Sequence, residues 1–402
     1  MGTRIAVEAA VVGAGPVGGA LACRLAAAGI ATALIDRAPL PPMEHPEFDG
    51  RAYAIAAGSR PLLEAGGVWA KLPIPASPIL GIRVTDGRLG QPASRLRLGF
   101  EASEAPFGWM VEARSLRMAL NARFAELGAL SVFAPAEARV ERGPEGAILT
   151  LADGREIAAR LVVAAEGRKS PLARAARIPF TRFSYRQIGI VTAIAHERPH
   201  GNVALEHFLP GGPFAQLPMS ATEEAEHVSA IVWTEGLLLG EALFALDDAR
   251  FGWEIARRLG GHLGGLRLLG RRFCYPLGAA YAHRYVDVRL ALAGDAAHGI
   301  HPIAGQGLNL GFRDAIALAA LVEAAVAEGE DPGAEPLLRR YQRQRRGDNL
   351  LMLAATDGLE RLFGNDIPPL RLARDLGIAA VDRLPPLKRL FIRQATGRAL
   401  GI

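Results

Sequence analysis

Cysteine is nearly missing from this chain: Cys23 and Cys274 are the only two, far apart and in neither a C-x-x-C nor a Cys/His metal spacing. A disulfide framework and a zinc site are thereby excluded, no metal is expected, and a reducing cytosol is the simplest home. No uninterrupted apolar run reaches the roughly 18 residues a membrane span needs, because charges, prolines or glycines break every candidate. The apolar start from Ile5 has no small-residue cleavage site and runs straight into a glycine-rich turn, so it reads as a buried strand rather than a signal peptide. Internal repeats and low-complexity segments are also lacking. Aromatics make up 6% of the chain and are not interleaved with basic residues outside the C-terminal tail, which disfavours nucleic-acid binding. The expectation is a cytoplasmic protein, soluble or peripheral at the inner face of the membrane.

What the chain does have is core-forming material. Of 402 residues, 50% are hydrophobic and 22% charged, the composition of a compact fold of two or three domains. The formal net charge is +5, and the segment 367–402 carries seven basic residues against Asp375 and Asp382. The basic excess therefore belongs to the tail, and the rest of the chain is neutral.

From Ala6 to Val12 an apolar strand leads into Gly13-Ala14-Gly15-Pro16-Val17-Gly18, a helical stretch to Ala28, and a second strand from Ala31 to Ile35 closed by Asp36. This is a βαβ start. Leu161 to Ala165 and Leu290 to Ala293 read as further strands of the same parallel sheet, with ligand loops at their C-terminal ends. Between them, Ile188 to His196, Val203 to Leu209 and His227 to Thr234 read as strands of a mostly antiparallel sheet separated by Pro/Gly turns. After Gly311 the pattern is helical through Val326, breaks near Asp331-Pro332, and resumes from Ala334 to about Leu353.

The three glycines of the first motif do different things: Gly13 makes a tight turn, Gly15 lets a pyrophosphate approach closely, and Gly18 packs helix on strand. Free N–H groups and the positive end of the helix dipole then face the phosphates. Asp36, about 20 residues on, supplies a carboxylate for ribose hydroxyls. The second motif, Leu292-Ala293-Gly294-Asp295-Ala296-Ala297-His298 with Pro302-Ile303-Ala304-Gly305-Gln306-Gly307-Leu308-Asn309, is one that a dinucleotide site alone does not need. A flavin does: Asp295 can accept from its ribityl chain, and backbone amides at a second helix start can hold its ring.

With these residues in view, the chain resembles the class A flavoprotein monooxygenases, and within them the ubiquinone-biosynthesis hydroxylase family. The resemblance runs nearly end to end. Asp49-Gly50-Arg51 with Ala54-Ile55 is similar to the family's arginine segment beside FAD, and Val111-Glu112-Ala113-Arg114-Ser115-Leu116 to its second one. Glu206 to Ala215 with Leu217-Pro218 resembles the substrate-domain signature, and His301 to Gly311 the flavin-ring loop. Tyr341 to Arg346 with Asp348-Asn349, then Thr356 to Leu359, resembles the C-terminal helix. One departure is Glu166-Gly167 where family members carry Asp-Gly; another is Ala173 where many carry arginine, with Arg174 one further on.

The resemblance implies an α/β fold with a Rossmann-like FAD-binding domain of the para-hydroxybenzoate hydroxylase type, a mostly antiparallel β-sheet substrate domain and C-terminal helices. The expected division is 1–72, 109–180 and 282–330 for FAD, 73–108 and 181–281 for substrate, and 331–402 for the helical segment. It implies FAD bound by Gly13, Gly15, Gly18, Asp36, Arg37, Arg51, Arg114, Glu166, Asp295, Pro302, Gly305, Gly307, Leu308 and Asn309, with NADPH or NADH as co-substrate. The reaction implied is hydroxylation of a prenylated phenol or quinone precursor with molecular oxygen. His298 and His301 flank the flavin loop as weak candidates for a proton relay, and no catalytic base is assigned. His207 reads equally as an ordinary strand residue, and Cys23 as core packing. A polyprenylated substrate would require contact with a membrane surface or with a biosynthetic assembly, and the basic, leucine-rich tail suits that need as well as it suits a solvated helix face. The alternatives are another FAD-dependent oxidoreductase on the same scaffold or a flavin-binding, non-catalytic subunit of the assembly. The W-x-W-x-I-P segment of the halogenases is not matched at Trp109 or Trp233.

Overall fold

The computed structural model describes residues 4–40, 47–87, 97–364 and 396–397. The basic tail, apart from Thr396 and Gly397, lies outside the described residues.

The described residues form three sheets. The first is centred on the strand Arg4–Val12, flanked in parallel by Glu156–Ala164 on one side and Thr32–Ile35 on the other; Leu290–Leu292 and Leu130–Phe133 continue the parallel order outward. Thr32–Ile35, Leu290–Leu292 and the last four residues of Glu156–Ala164 are buried throughout, which explains their near-continuous apolar sequence, since strands covered on both faces do not alternate. An antiparallel pair, Ala138–Arg142 and Ala147–Leu151, extends from Glu156–Ala164. The helices Pro16–Ala27, Ala113–Phe124 and Gln306–Ala327 pack against this core.

The second sheet has eight strands in the order His298–Gly299, Leu266–Ala282, Phe180–His196, Val228–Gly236, Gly212–Met219, Val203–Leu209, Gly81–Asp86, Arg97–Glu101. All neighbours are antiparallel except Val203–Leu209 with Gly81–Asp86. One of its faces packs on Phe251 and Ile255 of the helix Asp248–Leu259. The other meets a small three-stranded sheet of Ala52–Ala56, Gly108–Glu112 and Ser77–Ile79, together with the end of the long helix Glu335–Phe363.

The expected strands are present, several of them longer than expected: the run placed from Ile188 starts at Phe180. The last helix runs ten residues past Leu353 because Met352, Leu353, Thr356, Glu360 and Phe363 bury one continuous face. The helix expected after Gly311 already starts at Gln306. Cys23 is fully buried, and burial pushes its thiol up to about 12, as suits core packing.

Candidate functional site

Register brings the candidate loops together. Val12 pairs with Ile35 and with Ala164, and Ala164 with Leu292, so four parallel strands end at one level. Gly13, Asp36, Glu166 and Gly294 follow those ends and share one edge of the sheet, where ligands of such sheets bind.

At the first loop Gly13 adopts φ +108°, and a Cβ there would lie 2.4 Å from the Ala165 carbonyl oxygen. A Cβ on Gly18 would lie 2.0 Å from the Gly13 oxygen, whereas one on Gly15 would meet nothing within 4 Å. The helix Pro16–Ala27 starts at Gly15 with no side-chain cap, leaving first-turn amides available to a ligand. Asp36 takes the Ala14 amide on Oδ2 at 2.7 Å and the Ala38 amide on Oδ1 at 2.9 Å. Arg117, which sequence reasoning missed, donates to the Ala14 carbonyl at 2.5 Å.

The second loop leans on the first. Cβ atoms on Gly294 and Gly311 would approach the Val17 methyls to 3.2 and 2.6 Å, so Val17 is wedged between motifs nearly 300 positions apart in the chain. The Gly294 amide donates to Asp314 Oδ2 at 3.0 Å, and His298 Nε2 lies 2.6 Å from the same oxygen. Arg345 Nε and Asn349 Nδ2, both on the last helix, donate to Asp314 Oδ1 at 2.8 and 3.1 Å. Burial opposes the Asp314 charge, but His298 and Arg345 outweigh it and hold the carboxyl at about 2. His298 is thus a buried partner of Asp314. Asp314 itself gave no signal in the sequence, being one acid within a mostly apolar helix.

Asp295 is half-exposed and pairs with Arg168 at 3.1 Å. Ser170 caps the short helix Pro171–Ala175, and Glu166 supports that cap, accepting from Ser170 Oγ at 2.5 Å and from the Leu172 amide at 3.3 Å. Burial raises its pKa, while Ser170, Leu172 and Arg37 pull the other way.

Gly305 takes φ +61° and caps the helix Gln306–Ala327, again without a side-chain cap, and a Cβ on Gly307 would meet open space. Asn309 clips this helix start to the three-stranded sheet: its amide nitrogen donates to the Ala54 and Gly305 carbonyls, and its oxygen accepts from Ala56. Pro302 precedes the helical turn Ile303–Gly305, and Leu308 packs on the first core. His301 is fully buried with no hydrogen-bond partner for either nitrogen among the described residues, its ring edge-on to Tyr185 and its Nε2 3.7 Å from Glu360. Burial lowers its pKa to about 4.

Arg51 and Arg114 each bind an acid two residues back, Asp49 and Glu112, at 2.7 Å. The Arg51 guanidinium also lies over the Phe273 ring of the second sheet. Gly50 presses on that sheet, where a Cβ would lie 3.1 Å from the Ala193 amide nitrogen. The arginine segment therefore ties the three-stranded sheet to the second sheet.

Residues 6–351 match the family model described as FAD binding domain. The chain is 48% identical over 390 residues to a ubiquinone hydroxylase, UbiL, of Rhodospirillum rubrum, covering 96% of this chain and 89% of the relative. It is 34% identical to the 3-demethoxyubiquinol 3-hydroxylase of Escherichia coli, covering 97% and 98%. Among solved structures, p-nitrophenol 4-monooxygenase PnpA of Pseudomonas putida aligns with a TM-score of 0.76 at 17% identity, covering 99% of this chain and 100% of that one. The probable FAD-dependent monooxygenase pqsL of Pseudomonas aeruginosa aligns at 0.75 and 20% identity, covering 93% and 99%. These two share the fold.

Proposed function

The chain belongs to the FAD binding domain family, and on that premise we propose that it hydroxylates an aromatic ring of a ubiquinone precursor, using molecular oxygen and NAD(P)H. It is an FAD-dependent monooxygenase. The observation that carries the reading is the meeting of two uncapped, glycine-started helices at Val17, a geometry that one mononucleotide does not require.

The residues fit FAD. Open space above Gly15 matches close approach of a pyrophosphate, and first-turn amides supply its donors, with a helix-dipole contribution of about 0.3–1 kcal/mol. The Asp36 oxygens each keep a lone pair for ribose hydroxyls after accepting Ala14 and Ala38. Asp295 is exposed enough to accept from the ribityl chain, and Arg168 fixes its direction. The amides after Gly305 would hold the ring and stabilise negative charge on it, with Pro302, Gly307 and Leu308 shaping the loop. Asn309 acts through Gly305 by pinning the loop to Ala54 and Ala56. Arg51 and Arg114 would line the approach, and Arg37 and Glu166 the adenosine side. When bound, FAD supplies the redox chemistry that activates oxygen. The chain's part is to bury the reacting ring between the loop and the second sheet, so that water is excluded. His301, neutral and buried beside the loop, would be the side chain to pass a proton toward Glu360. Contact with a membrane surface or a biosynthetic assembly would deliver a prenylated substrate.

The test is the visible absorption spectrum of the purified protein, followed by NADPH-dependent oxygen uptake with and without a short-chain prenylphenol. Flavin absorbance with substrate-stimulated uptake and hydroxylated product is the expected result; a protein without affinity for FAD overturns the reading.

A further inference from the structure

Along Val203–Leu209 the side chains alternate between two cores. Leu205 and Leu209 face the helix Asp248–Leu259, while Ala204 and Phe208 belong to the cluster formed with Ile303 and Phe363. Glu206 falls between Ala204 and Phe208 in the two-residue repeat and so shares their face. That face is the one on which the flavin-loop residue Ile303 and the Asp49–Arg51 segment sit.

The row through Glu206 is unusual for the middle of a sheet. It runs Val84, Glu206, Ala215, Val232, Val191, Phe273, ending beneath the Arg51 guanidinium. Glu206, Val232 and Val191 keep partial exposure although strands flank each of them on both sides. Small and β-branched side chains therefore leave a hollow over the sheet, with an acid at one end and the arginine segment at the other. Glu206 has no hydrogen bond or ion pair with any described residue. The other ionisable groups around this face include Asp86, the Asp49–Arg51 pair, Tyr185, Tyr275, His301, Asp357 and Glu360, and none is its partner. With no donor among the described residues and with partial access to the hollow, this carboxylate is free to take a proton from a ligand seated there.

We propose that Glu206 is a catalytic residue of the hydroxylation, the base that accepts the proton of the substrate's ring hydroxyl; the proposal rests on the aromatic-hydroxylase reading above. The O–H bond of the phenol breaks, its electron pair stays on the ring oxygen, and the proton goes to the Glu206 carboxylate. The ring so activated donates electrons to the incoming oxygen atom; molecular oxygen supplies that atom, NAD(P)H supplies the electrons, and the second oxygen atom leaves as water. On re-aromatisation the ring carbon releases its own proton to solvent, and the ring oxygen takes back the proton held by Glu206. Burial pushes Glu206 up to about 7, which matches a base that must both take and return a proton near neutrality.

The experiment compares FAD-loaded wild type, Glu206→Gln and Glu206→Asp. The first readout is the spectrum of bound 4-nitrophenol at pH 7, where Glu206 is about half ionised, which distinguishes phenol from phenolate without turnover. The second is the pH profile of hydroxylation of a short-chain prenylphenol. Wild type should bind a clear share of the probe as phenolate, and Glu206→Gln should bind it as phenol. In Glu206→Gln, kcat should fall by about 100-fold or more with KM little changed, and the rise of rate near pH 7 should disappear. Glu206→Asp should restore part of both. Flavin absorbance and melting temperature should stay at wild-type values in both variants, which separates the effect from misfolding. Wild type binding the probe as phenol, or Glu206→Gln matching wild type in rate and pH profile, overturns the proposal. A wild type that ionises the probe but hydroxylates no phenol leaves Glu206 as a base and overturns the hydroxylase reading instead.

Discussion

At the Gly13–Gly18 turn the shape is held by steric exclusion: backbone sits so close to backbone that a single methyl would collide with a carbonyl oxygen 2.0 or 2.4 Å away. At the Gly294–Gly311 segment it is held by charge, with Asp314 gathering the Gly294 amide, His298, Arg345 and Asn349. The two loops meet at Val17 and would serve one cofactor, yet they should fail in different ways. The first should respond to added volume and be indifferent to pH, and the second should respond to removed charge.

Adding volume at Gly18 should have the largest effect. In Gly18→Ala the new methyl faces backbone rather than a flexible side chain, so the turn must open, and flavin content read from visible absorbance should fall to near zero. Gly15→Ala sharpens the point: its methyl enters open space, so melting temperature should hold while flavin affinity falls. If both variants retained flavin, the steric account of this loop would be wrong.

Next in size is Asp314→Asn, which removes the buried acid joining His298 to Arg345 and leaves Arg345 only the partly exposed Asp348 as an ionised partner. A loss of about 3–5 kcal/mol is expected, measured by urea denaturation, with flavin released earlier than in wild type. The pH dependence carries its own sign. The folded Asp314 carboxyl is depressed, so its contribution is present above the ordinary carboxylate pKa and fades only as pH falls toward about 2. Above pH 4 the charged loop should hold.

His301 is the counterexample within the same loop. Its pKa drops from 6.5 to about 4, so the unfolded chain binds the extra proton first, and stability is lost as pH falls through that window. Roughly 3 kcal/mol is at stake between these values. His301→Phe, which keeps a ring against Tyr185, should flatten the slope of unfolding free energy between pH 6.5 and 4.5. An unchanged slope would show that His301 is hydrated in the folded protein.

The smallest effect is expected at Glu166→Asp, which restores the family's usual residue. The shorter acid should reach Ser170 and the Leu172 amide less well, costing about 0.5–1 kcal/mol in thermal melting with flavin content unchanged.

How legible these features were follows from how local they are. The Gly13–Gly18 turn and Asp36 were readable because each glycine answers a contact set within one βαβ unit, and the buried parallel strands because apolar runs need no alternation. Asp314 was not readable, since its meaning depends on His298 and Arg345, and nothing near it in sequence marks a network. The three-stranded sheet was missed because Ser77–Ile79 is too short to show a period and Ala52–Ala56 lies inside the arginine segment. The last helix was cut short at a stretch containing Gly358, although Phe363 on its far side packs against Phe208 at 4.2 Å. Glu206 was visible only as one letter of the substrate-domain signature, because its isolation is a property of the folded sheet face.

The wiring of Asp314 to Arg345 also sets a timetable for synthesis. The Gly13 turn leaves the ribosome early, but the residues that hold the second loop come from the helix Glu335–Phe363. At about 5–20 residues per second, roughly 20–60 s pass before Arg345 can follow Gly13 out. During that interval the nascent chain displays half a cradle. Cofactor capture is therefore a late event, and a chain cut short before Arg345 would be released without a closed flavin site.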